Sequence, residues 1–278
     1  MRFGISTHLY HDQRLSREHL AEIAAHGFEA VEVFATRSHF DYHDPAMIAR
    51  LAEWLKETGL VLHGIHAPVV ESLKPGGQWG EPISNAVSDP AKRQAAVHEA
   101  DVALNIARRI PAEVFVVHLG TPVTQGGENN RTAAFRSVGE ICRLAEAAGI
   151  RVALEVIPNA LSDGGALVQM LEADLEGPNS GICLDFGHAF LLGDVPDTIE
   201  TVAEHLTTTH VHDNHGKKDE HLVPFAGRID WDIALMTMQK VGYDGTYLME
   251  LANTGGSTTA VLEQARTARG RFEKLMAY

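Results

Sequence analysis

Short apolar, β-branched runs alternate along this chain with longer stretches in which apolar residues recur at helical spacing, the pattern of parallel βα units. Strands are predicted over Arg2–Ser6, Ala30–Phe34, Leu60–Ile65, Val114–His118, Arg151–Glu155, Gly181–Leu184, Thr208–His212 and Thr246–Glu250. Helical stretches lie between them, among them Ser16–His26, Pro45–Thr58, Pro90–Arg109, Asn130–Ala148 and Trp231–Val241, and Thr258–Met276 ends the series. Gly27, Gly59, Gly149 and Gly242 follow four of these stretches, where a left-handed residue closes a helix. Eight βα units with right-handed crossovers predict an α/β chain closed into a (β/α)8 TIM barrel, although a doubly wound open sheet would give a similar string. Such barrels fill about 250 residues as one unit, so residues 1–278 are expected to form one domain. One long excursion, Ala67–Asp89, follows the third strand and contains PGGQWG. Its Trp79 and glycines suit a cover over a ligand as well as they suit a decorative insertion.

Composition narrows the picture. Hydrophobic residues make up 45% of the chain and charged residues 22%, as expected of a soluble protein with a large core. No window approaches the roughly 18 apolar residues of a membrane helix, and MRFGISTHLY lacks a signal-peptide apolar block, so a cytoplasmic protein is expected. Cys142 and Cys183 form no CxxC pair and read as small buried hydrophobes. Lys and Arg total 23 against 37 Asp and Glu, a formal net charge of −14. That balance, with no Lys/Arg run, argues against nucleic acid as a partner. A small-molecule partner is expected instead, and a homo-oligomer stays open. The 16 histidines are the unusual feature.

Their positions carry the chemistry. The exits of strands three to eight hold His66 in GIHAP, His118 in VVHLG, Glu155 in LEV, Asp185 and His188 in CLDFGH, His212 in HVHDN, and Glu250 in MEL. A barrel gathers such residues into one pocket at the carboxyl ends of its strands. One His or Glu after a strand is more often a hydrogen-bonded residue than a ligand. Six consecutive strand ends carrying one is a pattern. Glu155, Asp185, His212 and Glu250 form a three-carboxylate, one-imidazole set suited to Mn²⁺, Mg²⁺, Co²⁺ or Zn²⁺ with positions left for substrate oxygens. The same carboxylates without a metal would crowd like charges at a steep cost. His210, two residues before His212 on the same strand face, reads as lying deeper, behind the ligand, with an exchange of roles between the two left open. The segment from His212 to Trp231 adds Asp219 and His221 as a D-x-H pair able to hold a second ion, the alternative being a solvated polar loop.

In order and spacing, the LE, D-x-G-H, H-x-H-D-N, D-E-H-L-x-P and G-x-I-D-W elements resemble the xylose-isomerase-like barrel superfamily, in particular its sugar phosphate isomerase/epimerase members. The resemblance runs over essentially the whole chain. It implies that Glu155, Asp185, His212 and Glu250 hold one divalent ion, that Glu155 and Glu250 also move protons, and that His188 touches a substrate oxygen. Ketose 3-epimerases of this superfamily carry an arginine six residues after the ligand His, where this chain has Lys218. The chain also resembles the three-zinc apurinic/apyrimidinic endonucleases. His66, His118, Glu155, Asp185, His188, His212, Asp219, His221 and Glu250 fit their nine-ligand pattern, which implies room for more than one ion.

The expected function is therefore a metal-dependent isomerase or epimerase acting on a small keto-sugar, sugar phosphate or cyclitol through an enediolate. Glu155 and Glu250 would be the proton-moving pair. His188, Trp79, Lys218 and Arg228 are candidate substrate contacts, with Lys217 beside them. Two alternatives stand: a multi-zinc phosphodiesterase of the abasic-endonuclease kind, opposed by the acidic charge, and a non-catalytic carbohydrate-binding barrel, which loss of a ligand would support. None is lost.

Overall fold

Eight parallel strands close on themselves in chain order in the computed structural model, which describes residues 2–73, 79–173, 179–253 and 256–277. They are β1 (Arg2–Ser6), β2 (Ala30–Phe34), β3 (Val61–His66), β4 (Val114–Val117), β5 (Arg151–Glu155), β6 (Ser180–Asp185), β7 (Leu206–Val211) and β8 (Thr246–Met249). Pairing of β1 with β8, Gly4 opposite Leu248, closes the ring and excludes the open sheet. The helices among the described residues are α1 (Arg17–Ala25), α2 (Pro45–Thr58), α3 (Pro90–Ala103), α4 (Arg131–Ala147), α5 (Gly164–Ala173), α6 (Phe186–Leu192), α7 (Val195–Val202), α8 (Trp231–Lys240) and α9 (Thr258–Leu275).

The strands agree with the sequence reading to within two residues at each end. Gly27, Gly59, Gly149 and Gly242 all take positive φ after a helix, as expected. The helical stretch predicted to Arg109 ends at Ala103, and α5, α6 and α7 were not outlined. Each has a local reason. α5 opens on two glycines, poor helix formers. α6 is one residue from a strand, with Asp185 serving both as the last strand residue and as N-cap. α7 starts from Asp194 with proline in its first turn. Residues 74–78 of the long excursion, including most of PGGQWG, lie outside the described residues. No described helix is long and apolar enough to cross a membrane.

Strand residues alternate between the barrel lumen and the helices. Phe115, Val117, Val152, Leu154, Ile182 and Leu184 face outward and join one large cluster with helix residues such as Val97, Val138 and Ile141. Burying each such side chain contributes roughly 1.5–3 kcal/mol. The lumen is different: Val114, Val116, Ala153 and Cys183 form a small separate apolar group. Above them the same inward register brings in Glu32, His66, Glu155, Asp185 and His210, all buried.

Candidate metal centre

Five overlapping groups of candidate ligand atoms, each within 4.8 Å of one another, meet at the carboxyl ends of the strands among the described residues, and three of them take in all the residues read from the sequence. Glu155, Asp185, His210 and Glu250 form the central one, His66, His118 and Glu155 a second, and His188, His212, Asp219 and His221 a third. Glu155 belongs to both of the first two. Its Oε2 lies 3.2 Å from His66 Nε2 and 3.1 Å from His118 Nε2. Asp185 links the first and third, because His212 Nε2 lies 3.0 Å from it. All nine candidate ligands read from the sequence are thus brought together at one mouth.

The two imidazoles of HVH divide differently from the sequence expectation. His210 Nδ1 faces the carboxylates, 3.3 Å from Glu155, 3.4 Å from Glu250 and 3.9 Å from Asp185. His212, one step beyond the end of β7, turns toward Asp185 and the D-x-H pair instead. Gly187 makes room for it, since a Cβ there would overlap the His212 ring. That is the local meaning of the glycine in D-x-G-H.

Three of these rings are held in one orientation by the backbone. His66 Nδ1 donates to the Ala67 carbonyl at 2.9 Å, His188 Nδ1 to Val156 at 3.0 Å, and His221 Nδ1 to Glu250 at 2.9 Å. Each donation leaves Nε2 turned to the cluster carboxylates. His221 adopts a left-handed φ of 47° to do so. Its loop is pinned from behind by Asp213, whose buried carboxylate accepts from the backbone of Asn214, Phe225, Arg228 and Ile229 and from the Trp231 indole. Gly227 passes so close to Asp213 that a Cβ would clash with it. The H-D-N and G-x-I-D-W elements therefore act together as an anchor.

The donor set suits a divalent cation. Both oxygens of Glu155 and Nδ1 of His210, which faces them, are buried and complete no aligned hydrogen bond. Buried lone pairs that converge without hydrogens between them are the arrangement a cation satisfies. Without an ion the cluster is balanced by protons. Burial disfavours an imidazolium at His66, but Glu155 outweighs it and holds the ring up to about 9. At His221 burial is likewise outweighed, by Asp219, and the value reaches about 10. Burial opposes ionisation of Glu155, yet His118 and His210 hold its carboxyl well below the usual range. Nearby imidazoles similarly lower Asp185 against its burial.

A cavity of about 360 Å³ opens over the cluster. Glu155, Glu250, His66, His118, His188, Asp219 and His221 face it, and Phe34, Val69, Val70, Pro82 and Ile83 form an apolar wall. His8, His11 and Trp79 stack along its rim, with ring centroids 4.7 Å apart for the two histidines and 5.4 Å for His11 and Trp79. Trp79 thus sits where a substrate contact was expected. Lys217, Lys218 and Arg228 do not: all three are exposed and none lines the cavity, because the loop pinned by Asp213 turns Asp219 and His221 inward and its cations to solvent. Glu32 and Asp213 were not singled out from the sequence. The signal for Glu32 was present, as a carboxylate at an inward position of the otherwise apolar strand AVEVF.

A family model described as xylose isomerase-like TIM barrel matches residues 20–274. The chain belongs to this family. Among curated proteins similar to this chain, an uncharacterized protein of Methanocaldococcus jannaschii is 29% identical over 267 residues, covering 91% of this chain and 84% of that one. A ketose 3-epimerase of Arthrobacter globiformis is 32% identical over 134 residues, 46% of this chain and 43% of the epimerase. Among solved structures, a D-tagatose 3-epimerase-like protein superposes with a TM-score of 0.81 at 25% identity, over 100% of this chain and 97% of that one.

Proposed function

We propose that the protein is a divalent-metal-dependent isomerase or epimerase of small keto-sugars or cyclitols. The observation that carries this reading is the pairing of Glu155 and Glu250 beneath one cavity, with their oxygens grouped around a single imidazole. The similarity to a ketose 3-epimerase and to a D-tagatose 3-epimerase-like protein supports a carbohydrate substrate.

Glu155, Asp185, Glu250 and one imidazole of HVH would hold the central ion, as Mn²⁺, Mg²⁺, Co²⁺ or Zn²⁺, and the flanking His/Asp groups leave room for further ions. A bound cation would polarise the substrate carbonyl and acidify the adjacent C–H. Glu155, ionised because its imidazole neighbours keep it so, accepts that proton on a carboxylate oxygen. Glu250, on the next strand but two, returns a proton to the same carbon for epimerisation or to its neighbour for isomerisation. His188, whose ring is fixed by Val156, contacts a substrate oxygen. Phe34 and Trp79 offer aromatic faces to the C–H side of a sugar, and the apolar wall excludes water from the enediolate.

Turnover in D₂O should place deuterium on the carbon beside the carbonyl, and EDTA should abolish that exchange. A panel of keto-sugars and inososes that shows no exchange, with efficient incision of abasic DNA by the same sample, would replace this reading with phosphodiester hydrolysis. The three adjoining ligand groups favour that second reading. The net charge of −14, and a cavity in which no described Lys or Arg takes part, weigh against it.

A further inference from the structure

Among the cluster imidazoles, His210 is held in an unusual way. His66, His188 and His221 each give Nδ1–H to a backbone carbonyl, whereas His210 turns Nε2 to a buried carboxylate, Glu32 Oε2, at 3.1 Å. Glu32 sits on β2 and His210 on β7, strands that are not neighbours in the ring, so the contact crosses the lumen. The other Glu32 oxygen accepts from Ser6 Oγ on β1 at 3.1 Å. Gly64 on β3 leaves the space: a Cβ there would stand 3.1 Å from Glu32 Oε2. Four strands therefore contribute to seating one carboxylate beneath the cluster, where it is fully buried.

We infer that Glu32 is a positioning residue for the metal centre: it keeps the proton of His210 on Nε2 and so presents the Nδ1 lone pair to the central ion beside Glu155, Asp185 and Glu250. The chemistry is that of an imidazole between two acceptors. A carboxylate with no hydrogen of its own requires the N–H on the side facing it, which leaves the opposite nitrogen as the donor to a cation. Ser6 keeps the carboxylate from rotating away. It follows that His210, through Nδ1, is the central imidazole ligand, and that His212 serves the outer group. This inference rests on the metal-centre reading above.

The test uses the whole chain loaded with ¹¹³Cd²⁺, and separately its affinity for Zn²⁺ by chelator competition. In the wild-type protein, cadmium coupling should appear on His210 Nδ1 while Nε2 keeps its proton. Glu32→Ala should weaken the tightest Zn²⁺ site by about 10–100-fold and mix the two ring orientations. Glu32→Gln, which keeps an acceptor of the same size, should lie between, and Ser6→Ala should cause a smaller loss. A merely structural Glu32 would lower thermal stability without altering which nitrogen is coupled. Coupling through His210 Nε2, or Zn²⁺ affinities of folded Glu32→Gln and Ser6→Ala equal to wild type, would overturn the inference while leaving the metal centre standing. A wild-type protein that binds neither ion would remove both.

Discussion

His66 Nε2 and Glu155 Oε2 lie 3.2 Å apart with both side chains buried, and neither oxygen of Glu155 completes an aligned hydrogen bond. In the metal-free protein this pair is an imidazolium against a carboxylate, since Glu155 overrides the burial of His66 and holds it up to about 9. A cation entering here at neutral pH must displace the proton. Calorimetric titration of Zn²⁺ in two buffers of different ionisation enthalpy should reveal release of at least one proton per ion, with affinity rising as pH is raised toward 9. Heats independent of the buffer would contradict this arrangement.

Glu155 is shared by three overlapping groups of candidate ligands, so its loss should be felt in more than one of them. Glu155→Gln preserves volume and removes the charge. Elemental analysis should find fewer ions bound per chain, and deuterium exchange should fall by at least about 100-fold while the circular dichroism spectrum is retained. A variant with full metal content and full exchange would remove Glu155 from the site.

Asp213 touches no ligand atom of the cluster, yet five donors converge on it behind the loop that carries Asp219 and His221. Asp213→Ala leaves those donors unmatched and should cost about 2–4 kcal/mol in urea unfolding. Because the damage is confined to that loop, the metal stoichiometry should drop by the outer ion while the central ion is kept. Equal loss at both positions would show that the anchor supports the whole mouth.

His39 supplies a pH dependence away from the metal centre. Its ring is buried, Nδ1 donates to the Gln13 carbonyl at 2.7 Å, Nε2 completes no aligned hydrogen bond among the described residues, and burial lowers it to about 4. The folded state therefore keeps His39 neutral while the unfolded chain protonates near 6.5. Stability from this group is present above 6.5 and is lost as pH falls toward 4, by up to about 3 kcal/mol. His39→Asn keeps a donor for Gln13 and cannot titrate. Its unfolding free energy, compared with wild type across pH 7 to 4, should lose less on acidification.

The strand ends were legible because two periodicities coincide there: apolar alternation marks each strand, and the change to His, Asp or Glu marks its exit. The D-x-H spacing pointed to Asp219 and His221, which join a group of candidate ligands, and the character of its loop pointed to Trp79, which lines the cavity. The division of labour between His210 and His212 was not, because both share the inward register of β7 and only the positions of Glu32 and Gly187, on distant strands, separate them. The placement of Lys218 and Arg228 outside the cavity was hidden for a related reason. Charge type suggests a substrate anion, but whether a loop cation faces the mouth depends on how Asp213 folds the loop back, a contact between residues up to 18 positions apart. Glu32 was hidden by its company, one acid inside AVEVF, and inward parity was the clue.

The sparse hydrocarbon of the lumen has a thermodynamic corollary. With Val114, Val116, Ala153 and Cys183 forming a small apolar group there among the described residues, the upper half of the barrel is filled by carboxylates and imidazoles, whose charges protons balance until a cation takes their place. A cation bound at a hundred times its dissociation constant would add about 2.7 kcal/mol to folding by mass action. The ion would then be a keystone of the architecture as well as a reagent, and the midpoint of thermal unfolding, followed across a series of divalent salts, would rank the metals by how far each one steadies the barrel.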